Sequence, residues 1–142
     1  MKGSLLLAEF ATAHQDGTVS LLRSGITHLW GATLPIEFQG MMVARIFPDI
    51  GDQGPHTFDL KVLDEDGVTL APPVAGHFDV AKAGGTSNFI LGMNMTFTKF
   101  GRFLFVLRVD NVQCDTWTLT TKKPISAPPP VADAGTPPPE KP

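Results

Sequence analysis

The stretch that most restricts what this chain can become is Gly101-Arg102-Phe103-Leu104-Phe105-Val106-Leu107-Arg108-Val109, a run with a clear two-residue period. Phe103, Phe105, Leu107 and Val109 fall on one face, and Arg102, Arg108 and Asp110 on the other, as in a half-buried strand. Asp110-Asn111-Val112-Gln113 supplies a turn, because Asp and Asn tolerate the left-handed backbone of tight hairpins. Asp115-Thr116-Trp117-Thr118-Leu119-Thr120 then returns, with Trp117 and Leu119 continuing the apolar face against an outer row of threonines. A hairpin this apolar on one side does not stand alone in water. It needs a second sheet over it.

The rest of the chain offers strands for that purpose. Residues 4–13 read as a first strand, closed by the hairpin signal Asp16-Gly17. Residues 18–30 read as one long strand with a bulge at Gly25, where a missing Cβ lets the strand bend. Residues 38–47 are apolar on both faces, which places them centrally in a sheet or under a covering loop. Residues 56–64 put Phe58, Leu60 and Val62 inward and Asp59 and Lys61 outward, before a second turn at Asp64-Glu65-Asp66-Gly67. A fifth strand starts at Val68, is broken by Pro72-Pro73 and resumes at residues 76–80, so it belongs at a sheet edge or a crossing. Residues 88–97 place Phe89, Leu91, Met93, Met95 and Phe97 on one face. The opening hairpin supplies strands seven and eight.

No segment carries a sustained 3.6-residue apolar stripe, so little or no helix is expected. The pattern predicts an all-β fold, an antiparallel β-sandwich of about eight strands over residues 1–123. From residue 124 the composition changes: eight of the thirteen prolines fall in the last nineteen residues. Residues 124–142 are expected to be a disordered, proline-rich tail that favours extended polyproline backbone. Within it, Pro128, Pro129, Pro130, Pro137, Pro138 and Pro139 are candidates for docking into an aromatic groove of a partner.

Composition narrows the function classes. A net charge of −3 with dispersed Lys and Arg lacks the basic stripe of a nucleic-acid binder. Charged residues make up only 18% of the chain, against about 25% in average globular proteins. That shortfall fits strands faced with Thr and Ser, or a subunit that hides surface in an assembly. The apolar run Leu5-Leu6-Leu7-Ala8 is cut by Glu9 before it reaches the length of an export signal, and no run approaches a membrane span. One cysteine, Cys114, excludes an internal disulfide; it is expected beside a turn on a polar face, as a free thiol. The expectation is a cytoplasmic protein with no membrane role.

Motifs for chemistry are missing. His14, His28, His56 and His77 lie on four separate strands or turns without metal-ligand spacing. Asp49 and Asp52 fall in one loop and Asp64, Glu65 and Asp66 in another, at opposite ends of one strand, whereas calcium needs six to eight converging oxygens. No Gly-x-Ser-x-Gly elbow occurs, and no glycine-rich loop opens a helix. Lys99-Phe100-Gly101-Arg102-Phe103 alternates basic and aromatic residues but reads as a turn. Neither catalytic residues nor a cofactor are expected, and the chain is read as a non-enzyme.

Several segments together resemble a known family. They are Gly25-Ile26-Thr27-His28-Leu29-Trp30 with Pro35, Met42-Val43-Ala44-Arg45-Ile46, residues 58–67, and Gly101-Arg102-Phe103-Leu104-Phe105. The series is similar to a family of small uncharacterised bacterial proteins classed as a domain of unknown function, over roughly residues 3–121. The resemblance implies a bacterial or phage source and a β-sandwich, and carries no catalytic residue and no ligand. The expectation that follows is a protein-interaction or scaffold module, with a protein partner or self-association. The alternatives are a structural subunit of an assembly, such as a phage capsid or tail decoration, and a ligand-binding sandwich.

Overall fold

The computed structural model describes residues 1–82 and 84–125. The described residues form nine strands and no helix: β1 (Lys2–Ala13), β2 (Val19–Ser24), β3 (His28–Trp30), β4 (Ile36–Phe47), β5 (Gly54–Leu63), β6 (Val74–Val80), β7 (Ser87–Phe97), β8 (Gly101–Val109) and β9 (Val112–Lys122). Hence no described helix is long and apolar enough to cross a membrane. The strands make two sheets, a four-stranded one in the order β2-β1-β4-β7 and a five-stranded one in the order β3-β9-β8-β5-β6.

Both sheets feed one core. Leu7, Met42, Ile46 and Phe97 come from the first sheet, and Leu60, Phe103, Phe105, Leu107 and Leu119 from the second. Alternation dictates this outcome, since each contributes from one parity of its strand. Fully burying such a side chain stabilises the fold by about 1.5–3 kcal/mol. β4 is apolar on both faces because it is central, between β1 and β7. Met42, Ala44 and Ile46 enter the core, while Val43 is buried on the opposite face, flanked by Leu6 and Ile90.

The β8–β9 hairpin has the expected faces and a tighter turn. Asp110 and Asn111 alone make it, with φ of 50° and 66°, and Val109 pairs with Val112. On the outer face Arg108 forks onto Asp59 of β5 with two bonds of 2.8 and 2.9 Å, a fixed planar pairing that a lysine could not make.

Three expectations are corrected. The described residues form nine strands rather than about eight, because residues 18–30 do not form one bulged strand. Gly25, at φ 88°, ends β2; the chain crosses to the other sheet and resumes as β3. The arrangement is not wholly antiparallel, since β3 runs parallel to β9, His28 aligning with Thr120 and Trp30 with Lys122. Cys114 does not sit on the polar face. A register shift between Leu107 and Arg108 leaves it without a partner in β8, and it packs against the core. The broken fifth strand survives as a single bridge between Leu63 and Thr69, then β6 after the two prolines, at the sheet edge where prolines are tolerated.

Candidate functional site

The two sheets meet differently along their two sides. On the side formed by β1, β2, β3 and β9, the backbone is tied across the gap. Leu5 N–H donates to the Asp115 carboxylate at 2.7 Å, and Gly25 N–H to Leu7 C=O at 2.8 Å. Trp117 Nε1–H donates to Ile26 C=O at 2.9 Å, and Thr120 N–H to Thr27 C=O at 2.8 Å. Residues 25–27 thus act as a hinge plate between sheets. That side is closed.

On the side of β6 and β7, both sheets simply end. Parity identifies the unpaired groups on β7. Leu5 N–H and Leu7 C=O point away from β4, so β1 bonds β4 through its even-numbered residues. N–H and C=O of successive residues point to opposite sides of a strand. Odd residues of β4 therefore face β1, and its even residues face the odd residues of β7. The even residues Asn88, Ile90, Gly92, Asn94 and Thr96 are left with N–H and C=O groups directed outward. No other strand among the described residues pairs with them.

This edge lacks the usual protection. β7 has eleven residues, none charged and none proline, whereas natural edges are kept short or carry charges, prolines or bulges. By the same parity β6 presents only Ala75, His77 and Asp79, and follows two prolines. β3 has three residues, and β2 has six and carries Arg23. Of these four edges, β7 is the unguarded one.

What lies against β7 varies along its length. Its N-terminal half is sealed by an aromatic cluster: Phe89 stacks on Phe58 at 4.3 Å and meets Phe78 edge-on at 5.5 Å. Gly76 makes room for this, since a Cβ there would lie 2.8 Å from the Phe58 ring. His56 stacks on Phe78 at 5.5 Å and joins the cluster to the hairpin tip. Its Nδ1 meets the Asp110 carboxylate at 2.6 Å and its Nε2 meets Asp52 C=O. Both partners accept, so the ring satisfies them only as imidazolium. The bond to Asp110, then that to Asp52, raises the His56 pKa above its usual 6.5. Thr57 N–H, then His56, lowers that of Asp110.

The C-terminal half of β7 borders a cleft of about 510 Å³ between residues 68–71 and 94–96. Its floor includes Phe103, and its mouth is held by Lys99, whose Nζ lies 2.8 Å from Asp64. That contact, with N–H groups of Val68 and Asp66, holds the Asp64 carboxyl below its usual range. Arg102 pairs with Glu65 at 3.2 Å. The basic-aromatic motif of residues 99–103 therefore neutralises the acidic turn, a role its composition alone does not show.

The remaining candidates are accounted for one by one. The proline segments Pro128-Pro129-Pro130 and Pro137-Pro138-Pro139 lie outside the described residues. Asp49 and Asp52 precede β5 and Asp64–Asp66 follow it, so the two acidic loops stand at opposite ends of that strand. No group of three or more His, Cys, Asp or Glu among the described residues gathers to hold a metal. Cys114 Sγ points to the carbonyls of Met1 and Val112, and burial pushes its thiol pKa up. The open β7 edge and the clamp at Asp115 are absent from the sequence reading. The uncharged, proline-free run of residues 87–97 reads equally as a central strand, so the sequence carries no signal for the edge. Asp115 has none either.

Residues 3–122 match a family of unknown function (DUF6941), and the chain belongs to that family. No curated protein matches it.

Proposed function

We propose that this family member is a non-enzymatic interaction module, a β-sandwich that accepts an extended strand of a protein partner along β7. The observation that carries the proposal is the row Asn88, Ile90, Gly92, Asn94 and Thr96, whose backbone groups are directed outward over an uncharged strand. Strand addition to such an edge draws affinity from main-chain bonds and specificity from pockets for alternate side chains. The cleft beside residues 94–96 is such a pocket, with apolar Leu70, Met95 and Phe103 within and Lys99 at its rim. A lone, reduced cysteine suits action in the cytoplasm.

A displayed library of extended peptides tests this. Selected peptides should be strand-forming, and Asn94→Pro should abolish their binding while far-ultraviolet circular dichroism stays unchanged. The Asn94 N–H faces solvent, where an edge strand tolerates proline. Peptides that bind Asn94→Pro as well as the parent chain would remove β7 from the mechanism.

A further inference from the structure

We infer that the strand β7 accepts is β7 of a second copy of this chain, giving a twofold dimer with one continuous eight-stranded sheet. The inference rests on the strand-accepting reading and names its occupant. Identical edges can be joined in two ways, and only one suits this molecule. Rotation about an axis normal to the sheet makes the strands antiparallel and keeps both core faces on the same side. Rotation about an axis along the strand makes them parallel and puts the half-buried Phe89, Leu91 and Met95 of the two copies on opposite faces of the joint sheet, where neither row covers the other.

The five outward residues are symmetric about Gly92. With Gly92 on the axis, Ile90 of each copy meets Asn94 of the other, and Asn88 meets Thr96. These are hydrogen-bonded pairs, each exchanging two bonds. A Cβ on Gly92 would meet nothing within 4 Å in the single chain, so the glycine answers no need of the monomer's packing.

Side chains on the other face agree. Phe89, Leu91 and Met95 point toward the core yet are only half-buried, unlike Met93 and Phe97. In this register Phe89 of one copy stands opposite Met95 of the other, beside the open cleft, and Leu91 opposite Met93. Each half of the edge thus covers the residual apolar surface of the other. Charge follows the same symmetry. Glu37 is next to Thr96 and Arg45 next to Asn88 on the outer face. In the dimer Glu37 of one copy therefore shares a row with Arg45 of the other, about 14 Å away across three strand spacings.

The test is sedimentation equilibrium on the full chain up to about 1 mM, with Gly92→Lys and Glu37→Arg. The parent chain should approach twice 15.2 kDa. Gly92→Lys, which opposes two like charges at the axis, should remain at the monomer mass with an unchanged circular dichroism spectrum. Glu37→Arg, farther from the axis, should weaken association at about 0.01 M ionic strength, where charges about 14 Å apart are not screened, while leaving the fold intact, which guards against a folding defect in the first variant. A parent chain that stays monomeric, or a Gly92→Lys chain that dimerises equally well, overturns the dimer. If the monomeric parent still binds selected peptides in a manner that Asn94→Pro abolishes, the strand-accepting edge stands and its occupant is another protein. If it binds none, both readings fall.

Discussion

The two sides of this molecule solve the same problem in opposite ways. Where β1 and β9 meet, edge groups are satisfied within the chain: a carboxylate caps Leu5 N–H, and residues 25–27 bond to both sheets. Where β6 and β7 meet, aromatic rings fill the gap but no strand among the described residues takes up the outward backbone of β7. An unpaired backbone group costs little in water and much when buried. The open side is thus stable in water, but it is also a template for a further strand. Ties between the sheets are concentrated on the closed side, and unpaired backbone on the open one.

That contrast breaks first at Trp117. Its ring packs on the core and its Nε1–H holds Ile26, so Trp117→Ala should lower unfolding free energy by about 3 kcal/mol in urea denaturation. A loss below about 1 kcal/mol would show that the ties across the closed side contribute little. Asp115→Ala comes next, at about 1–3 kcal/mol, because it strands the part-buried Leu5 N–H. Asp115→Asn keeps an acceptor and should cost less.

The His56–Asp110 clasp sharpens the comparison through pH, because it steadies the open side. The raised His56 pKa means its contribution is complete below about pH 6.5 and fades as pH rises through the elevated value. The lowered Asp110 pKa means its part is complete above pH 3.8 and fades on acidification through the depressed value. The clasp is strongest between those limits. Melting curves should show the advantage of the parent chain over His56→Gln shrinking as pH rises above about 6.5 through the elevated pKa. Parallel curves would mean the imidazolium is not the bonded form. The smallest effect belongs to the C-terminus. Ending the chain at Lys123 should shift the melting temperature by no more than about 2 °C. It should leave association through β7 intact. Loss of association on truncation would move the binding site to the proline segments.

Faces were legible in the sequence and edges were not. Alternation assigned Phe103, Phe105 and Leu107 inward, and the doubly apolar run of residues 38–47 implied a strand that is central or lies under a covering loop, and β4 is central. Both are consequences of side-chain period, which is local. Strand order is not local. Whether Ile90 N–H has a partner depends on which strand arrives beside β7, and no pattern within residues 87–97 reports it. Gly25 was read as a bulge because positive φ serves equally for a bulge or for a sheet crossing; only the pairing of His28 with Thr120 decides. Cys114 was assigned by counting twos through β9, and the register shift near its start reversed the count.

Residue-resolved amide hydrogen exchange on the Gly92→Lys chain, checked to be monomeric by sedimentation, tests the asymmetry most directly. Leu5, Gly25 and Thr120, tied across the closed side, should be protected to near the global unfolding limit. Ile90, Asn94 and Thr96 should exchange rapidly, although Leu91, Met93 and Met95 between them are slow. Uniform protection along β7 in a verified monomer would contradict the account, because it would mean that the edge is already covered within the chain.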